Sequence, residues 1–205
     1  MRAGQTLVDD QGNQVSLFPL EYIYISQGEN GSYSHQGILA IDFLGWDANG
    51  RVLQCPYYAP FDCRVVYHYS WYNVWQSINP VMTPTGKKIV TFEVAHDANP
   101  PALGTVKSQG EEIGRTGVNG EATGDHVHLN SAFGTYQGFY TVSSGKRQLI
   151  NSSHIYNTFY VNDTTILNGY GYNWRTYQGG HPSPNYRKYK FKWVLYANKL
   201  RNRDV

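Results

Sequence analysis

Gly124-Asp125-His126-Val127-His128-Leu129 is the stretch from which the rest of this sequence can be read. Side chains two apart on a strand share a face, with Cα atoms about 6.6 Å apart, so His126 and His128 can address one site while Val127 and Leu129 face a packing layer. Two imidazoles at that spacing make half a metal site. A half-buried strand carrying two solvated histidines would show the same pattern, so the pair needs partners elsewhere. Candidates stand upstream in Ser34-His35-Gln36-Gly37-Ile38-Leu39-Ala40-Ile41-Asp42-Phe43 and in Val94-Ala95-His96. Zinc takes nitrogen from His and oxygen from Asp or Glu, and a catalytic site typically uses three protein ligands with the fourth position open. One Asp and two of these four histidines would suffice.

This set resembles the lysostaphin/LytM group of zinc endopeptidases, which cut peptide cross-links in bacterial cell walls. Three further stretches are similar to that group. Tyr58-Ala59-Pro60-Phe61-Asp62-Cys63-Arg64-Val65-Val66 looks like its Ala-Pro turn and following strand. Gly110-Glu111-Glu112-Ile113-Gly114-Arg115-Thr116-Gly117 and then Thr123-Gly124-Asp125 look like its glycine-rich approach to the His-x-His. The similarity covers about residues 20–135, and the combination is specific where each piece alone is weak. It implies a mainly β, antiparallel domain with few or no long helices. It also implies one Zn2+ per chain held by His35, Asp42 and His128, with His126 as proton acceptor and His96 orienting water or stabilising an oxyanion.

The chain departs from the usual pattern at one place. Where the group commonly sets three residues between the first His and the Asp, six intervene here, from Gln36 to Ile41. An odd offset would put His35 and Asp42 on opposite faces of a regular strand, so His35 is expected in a loop before the strand, with Gly37 making the turn. The longer spacing is similar to that of phage-borne wall-degrading members, which implies a phage-borne branch.

With 205 residues, 40% hydrophobic and 15% aromatic, the chain can bury a core, and its 18 Tyr and 21 Gly favour strands and turns over helices. A net charge of +2 gives no case for a nucleic-acid partner. Cys55 and Cys63 do not make a disulfide framework and are expected as unbridged, partly buried thiols, a single bridge being the alternative. Residues 1–5 begin no apolar run long enough for a signal peptide, and no later segment approaches the ~20 residues that cross a membrane. The expected location is a virion or the extracellular cell wall, and the chain could equally be a domain cut from a longer protein.

Along the chain, residues 8–15 suggest a hairpin forming an edge ribbon, 22–26 a buried strand, 27–34 a polar loop and 38–43 an apolar strand ending near Asp42. Asp47 suits the turn at 46–50 better than Asp42 does. Residues 51–69 supply two strands parted by Ala59-Pro60. Residues 71–88, with Trp71, Tyr72, Trp75, Pro80 and Pro84, read as a loop, either a long hairpin packed on itself or a wall of a substrate groove. Residues 88–96 alternate, with Val90, Phe92, Val94 and His96 as the apolar set, so His96 could also be a satisfied core histidine. Asp97, Glu93 and Asp125 could accept a ligand histidine's N–H or be surface charges. His68, His154 and His181 lack a partner at a useful spacing and read as solvated or structural.

The expected peptidase domain spans residues 1–170, followed by an aromatic and basic extension at 171–205, packed on the same domain. Residues 188–194 alternate aromatic and basic, as a lysine-protected edge strand would, or as a face for anionic wall polymers would. Two functions are open: a zinc endopeptidase acting on peptidoglycan cross-bridge peptides, and a non-catalytic wall-binding or structural virion module that keeps the fold. The candidate ligands are all present, which argues for the first. No His-Glu-x-x-His segment supplies a helix-borne base, and a zinc deaminase is excluded by the lack of a Cys-x-x-Cys pair.

Overall fold

In a computed structural model, residues 1–160 are described, and they are built almost wholly from antiparallel strands with one short helix, Ile155–Thr158. The expected 170/171 boundary, His181 and the alternating residues 188–194 lie outside the described residues. Among the described residues no helix is long and apolar enough to cross a membrane.

The central element is an eight-stranded sheet. Its order is Tyr24–Gln27, Ile41–Leu44, Val127–Phe133, Val90–Ala95, Tyr72–Ser77, Cys63–Tyr69 and Val106–Lys107, with Ser152–Ser153 added beside Val127–Phe133. Period-two alternation divides the residues of this sheet between two jobs. On one face Ile41, Phe43, Val127, Leu129, Phe92, Val94, Trp75 and Val65 pack into the main core, closed by Phe18, Phe61 and Phe159. Edge-to-face ring contacts knit that layer, Phe18 on Phe43 at 5.0 Å and Phe61 on Phe92 at 5.7 Å between centroids.

The opposite face carries a row that crosses six strands. Gln27 pairs with Asp42, Asp42 with His128, His128 with Ala95, Ala95 with Tyr72, and Tyr72 with Tyr69. One row therefore fixes which polar groups meet. Farther along this face, the hairpin of Phe139–Thr141 and Arg147–Leu149 covers a second, smaller cluster of Val74, Ala132 and Leu149.

The mainly β expectation holds, and several local expectations shift. The segment 71–88 is not a loop: Tyr72–Ser77 is a central strand, every residue of which is buried, followed by the small hairpin Val81–Thr83 and Gly86–Lys88. A strand covered on both faces shows no apolar/polar alternation, and Asn73 and Gln76 masked it further. The hairpin at 8–15 reduces to one bridge, Val8 with Gln14, and Val15, Leu17, Phe18 and Leu20 are buried instead of forming an edge ribbon. Asp47 does hold its own turn, accepting from the Asn49 amide at 2.7 Å. Cys55 and Cys63 are both free thiols.

Because Phe92 is fully buried in the main core and Glu93 faces the other side, the two positions should respond differently. Phe92→Ala should cost about 3–5 kcal/mol of unfolding free energy by denaturant titration. A loss under about 1 kcal/mol would show that the apolar face of Val90–Ala95 is not the one packed.

Candidate functional site

The sequence-predicted residues meet at one end of the row. His35 Nε2 lies 3.2 Å from Asp42 Oδ1 and 3.2 Å from His128 Nδ1, and His128 Nδ1 lies 3.0 Å from Asp42 Oδ1. One ligand atom from each of the three falls within 4.8 Å of the others. His35 sits in the loop before the Ile41–Leu44 strand and Gly37 takes φ +81°, the geometry that the longer spacing called for.

Each group is held by a partner that sets its orientation. His35 is 1% exposed and donates from Nδ1 to the Gly28 carbonyl at 2.9 Å, which points Nε2 at the cluster. Gln27 donates to Asp42 Oδ2 at 2.9 Å and to Ser34 Oγ at 2.7 Å, and accepts from the Ser34 amide at 2.9 Å. One side chain thus ties the carboxylate to the loop that carries His35. These braces fit a metal centre. Tetrahedral bonds of about 2.0–2.1 Å place neighbouring ligand atoms about 3.3 Å apart, close to the separations seen here.

Two more histidines stand beside this group. His126 donates from Nδ1 to the Gly124 carbonyl at 2.7 Å and brings Nε2 to 3.7 Å from Asp42 Oδ1. His96 donates from Nδ1 to the Asn119 carbonyl at 2.7 Å, stacks on Trp71 at 5.4 Å, and meets the His126 ring at 4.4 Å. By alternation His96 belongs to the core face with Val94. A left-handed backbone, φ +79°, takes it out of register and onto the site face. Such a conformation costs a non-glycine residue on the order of 1–3 kcal/mol and must be held by its surroundings. Here Gly117 packs against it: a Cβ at Gly117 would lie 2.1 Å from the His96 carbonyl oxygen, and Gly117 forms an antiparallel bridge with His126.

Burial raises the cost of charge at each of these groups, and the neighbours decide the outcome. Burial pushes Asp42 up, but hydrogen bonds from His128 and His35 outweigh it and hold the carboxyl well below the ordinary range. Burial pulls His128 down, but the Asp42 hydrogen bond and charge outweigh it and raise the imidazole. His96 is lowered to about 4, first by burial and then by the nearby His126 and His128 against the Asn119 bond. It is therefore neutral at neutral pH.

The acidic candidates divide. Asp97 accepts from the Arg115 and Asn99 amides, both at 2.7 Å, and Asp125 from Thr116 Oγ1 at 2.6 Å and the Gln54 amide at 3.0 Å, so both brace loops and neither holds a histidine. Glu93 is buried on the site face, where its charge acts on His128. His68 bonds Asn73 at 2.8 Å, and His154 pairs with the buried Glu29 at 2.6 Å, both away from the cluster. Sequence reasoning missed Gln27 and the carbonyls of Gly28 and Asn119, and met Gly117 and Gly124 only as members of the glycine-rich stretch, without their contacts to His96 and His126. The cluster opens into a groove of about 930 Å³, whose walls include Tyr33, Tyr69, Trp71 and Arg147.

No family model matches the chain. Over 171 residues it is 42% identical to Morphogenesis protein 1 of Bacillus phage B103, an alignment covering 80% of this chain and 45% of that protein. The chain thus spans less than half the length of this relative. Among solved structures, it is similar to the catalytic domain of a prophage-encoded M23 protein of Enterococcus faecalis (16% identity, 67% of this chain and 93% of that one, TM-score 0.43). It is also similar to the catalytic domain of lysostaphin from Staphylococcus simulans (17% identity, 57% and 80%, TM-score 0.36) and to a zinc-containing peptidase of Vibrio cholerae (16% identity, 62% and 43%, TM-score 0.39).

The pKa directions give opposite pH dependences with and without metal. In the metal-free protein, the raised His128 contributes stability that is full below about pH 6.5 and is lost as pH rises through its higher folded value. The depressed Asp42 contributes above about pH 3.9, and its share is lost as pH falls through its lower folded value. A metal needs both imidazoles deprotonated. The rise in Tm on adding zinc should therefore grow between about pH 5.5 and about pH 8. An increment that does not change over that range, by differential scanning calorimetry, would remove the two histidines from the ligand set.

Proposed function

We propose that this chain is a zinc-dependent endopeptidase that hydrolyses peptide cross-links of bacterial peptidoglycan, in the service of a phage as a tail-associated or lytic component. The observation that carries the reading is the convergence of His35, Asp42 and His128 in an open groove, with His96 and His126 beside them. The relation to a phage morphogenesis protein supports the phage setting and a virion location. Intact candidate ligands favour turnover over a non-catalytic module. The same reading gives residues 1–170 to the peptidase and lets the 171–205 extension meet anionic wall polymers.

When bound, one zinc ion would supply Lewis acidity, polarising a peptide carbonyl and acidifying a water at the site. The chain's own groups do the rest. His126 has its Nδ1 proton committed to Gly124, so its Nε2 lone pair faces the cluster and can take a proton from the attacking water, then return it to the leaving amine. His96 is neutral and its Nδ1 proton is committed to Asn119, so Nε2 is an acceptor. Both roles that the resemblance implies for it, orienting water and stabilising an oxyanion, place this Nε2 at the site. Gln27 keeps the second Asp42 oxygen engaged and prevents the carboxylate from swinging away. Trp71 and Tyr69, packed edge to face, line the groove and offer apolar surface to an extended peptide.

The two histidines of the His-x-His should separate by function. His128→Ala should lose zinc, measured by plasma emission spectroscopy. His126→Ala should keep zinc and lose about 10²- to 10⁴-fold in hydrolysis, measured by mass spectrometry of fragments released from purified cell walls. A metal-free His126→Ala protein, or one that retains normal activity, contradicts this division. Failure of the zinc-loaded wild type to release fragments from any wall type contradicts the peptidase reading itself.

A further inference from the structure

Arg147 has no part in the metal cluster or the proton-transfer pair, yet its guanidinium is among the most tightly framed cations in the groove. It begins the second strand of the Phe139–Leu149 hairpin and sits in the corner of two rings set nearly at right angles, 4.1 Å from the Phe139 centroid and 4.8 Å from that of Tyr72. Nη1 donates to the Tyr72 hydroxyl at 2.9 Å. Nη2 stands 3.6 Å from the buried Glu93 carboxylate, an ion pair too long for a hydrogen bond. A guanidinium has five N–H donors, so most of this fork is unspent, and the side chain is 42% exposed into the groove. The two rings and the Tyr72 hydroxyl hold the guanidinium in place before anything binds, which lowers the entropy lost on forming a bidentate pair.

Its position relative to the cluster follows from the sheet. Tyr72 lies in the same cross-strand row as His128, with Ala95 between them. Two inter-strand spacings of about 4.8 Å put the Arg147 end of the groove about 10 Å from the ligand histidine, two or three residues of extended peptide. Ala95 is a small residue on that path and lines the floor. Lys146 adds a second positive charge on the same wall, and Glu93 is the acid beneath.

Resting on the peptidase reading above, we propose that Arg147 is a specificity-determining residue that takes a free carboxylate of the substrate peptide, two or three residues from the scissile amide. A planar fork held in place at the groove matches the two oxygens of a carboxylate and discriminates against its amide, which offers one acceptor and carries no charge. The rival role for Arg147 is structural, neutralising Glu93, and it makes no demand on the substrate.

The test uses two synthetic cross-linked peptides that differ only in a carboxylate or carboxamide at that position. Zinc-loaded wild type should favour the carboxylate by about 10- to 100-fold in kcat/KM. Arg147→Lys keeps the charge beside Glu93 and should lose most of the preference; Arg147→Gln should lose all of it. If Arg147→Gln fails to fold, the double variant Glu93→Gln/Arg147→Gln removes both charges and serves in its place. Equal rates for the two peptides in wild type, or a preference that survives in Arg147→Gln, overturns the proposal while leaving the peptidase reading intact. If neither peptide is cleaved, calorimetric Kd values for the two decide: tighter binding of the carboxylate form by wild type alone keeps the anchor without the peptidase, and equal or absent binding overturns both.

Discussion

A carboxylate carried into the protein at 7% exposure must find compensating charge or hydrogen bonds, and Asp42 finds both in His35, His128 and Gln27. This constraint organises the molecule. To satisfy Asp42 the chain must bring together a loop at residue 35, a strand at residue 42 and a strand at residue 128, and only the pairing of Ile41–Leu44 with Val127–Phe133 places the last two side by side. A cation shared among these atoms would meet the same need without protons. The group therefore has two ways to be neutralised, which compete with each other as pH changes.

The sheet lets the same strands serve packing and chemistry. Phe43, Val127, Leu129 and Val94 are committed to the core, and that commitment fixes the register in which Asp42, His128 and Ala95 align on the other face. A slip by one residue would bury the polar row and expose the apolar one. His96 is the exception. It leaves the alternation through a left-handed backbone that Gly117 has room to accept, and the departure is what turns a residue of the core-facing set toward His126.

What could be read in the sequence was what depends on spacing along one strand. His126 and His128 were legible because period two is a local rule, and the loop position of His35 because an odd offset from Asp42 forbids a shared strand face. Gln27 was not legible, since a glutamine in a polar loop looks the same whether or not it reaches a carboxylate 15 residues away. The strand Tyr72–Ser77 was hidden by burial on both faces, and with it the wall that holds Arg147. Asp97 and Asp125 looked like partners for histidines because they adjoin them in sequence; their side chains turn instead to the backbone and hydroxyl groups of neighbouring loops.

X-ray absorption at the zinc edge on the loaded wild-type protein reads out the proposed ligand set of His35, Asp42 and His128. The expected spectrum has two imidazole nitrogens at about 2.0–2.1 Å, with carboxylate and solvent oxygens completing a four-coordinate shell. A third imidazole in the shell would make His96 or His126 a ligand and contradict the account. Sulfur in the shell, or a protein that retains no zinc at all, would contradict it as well.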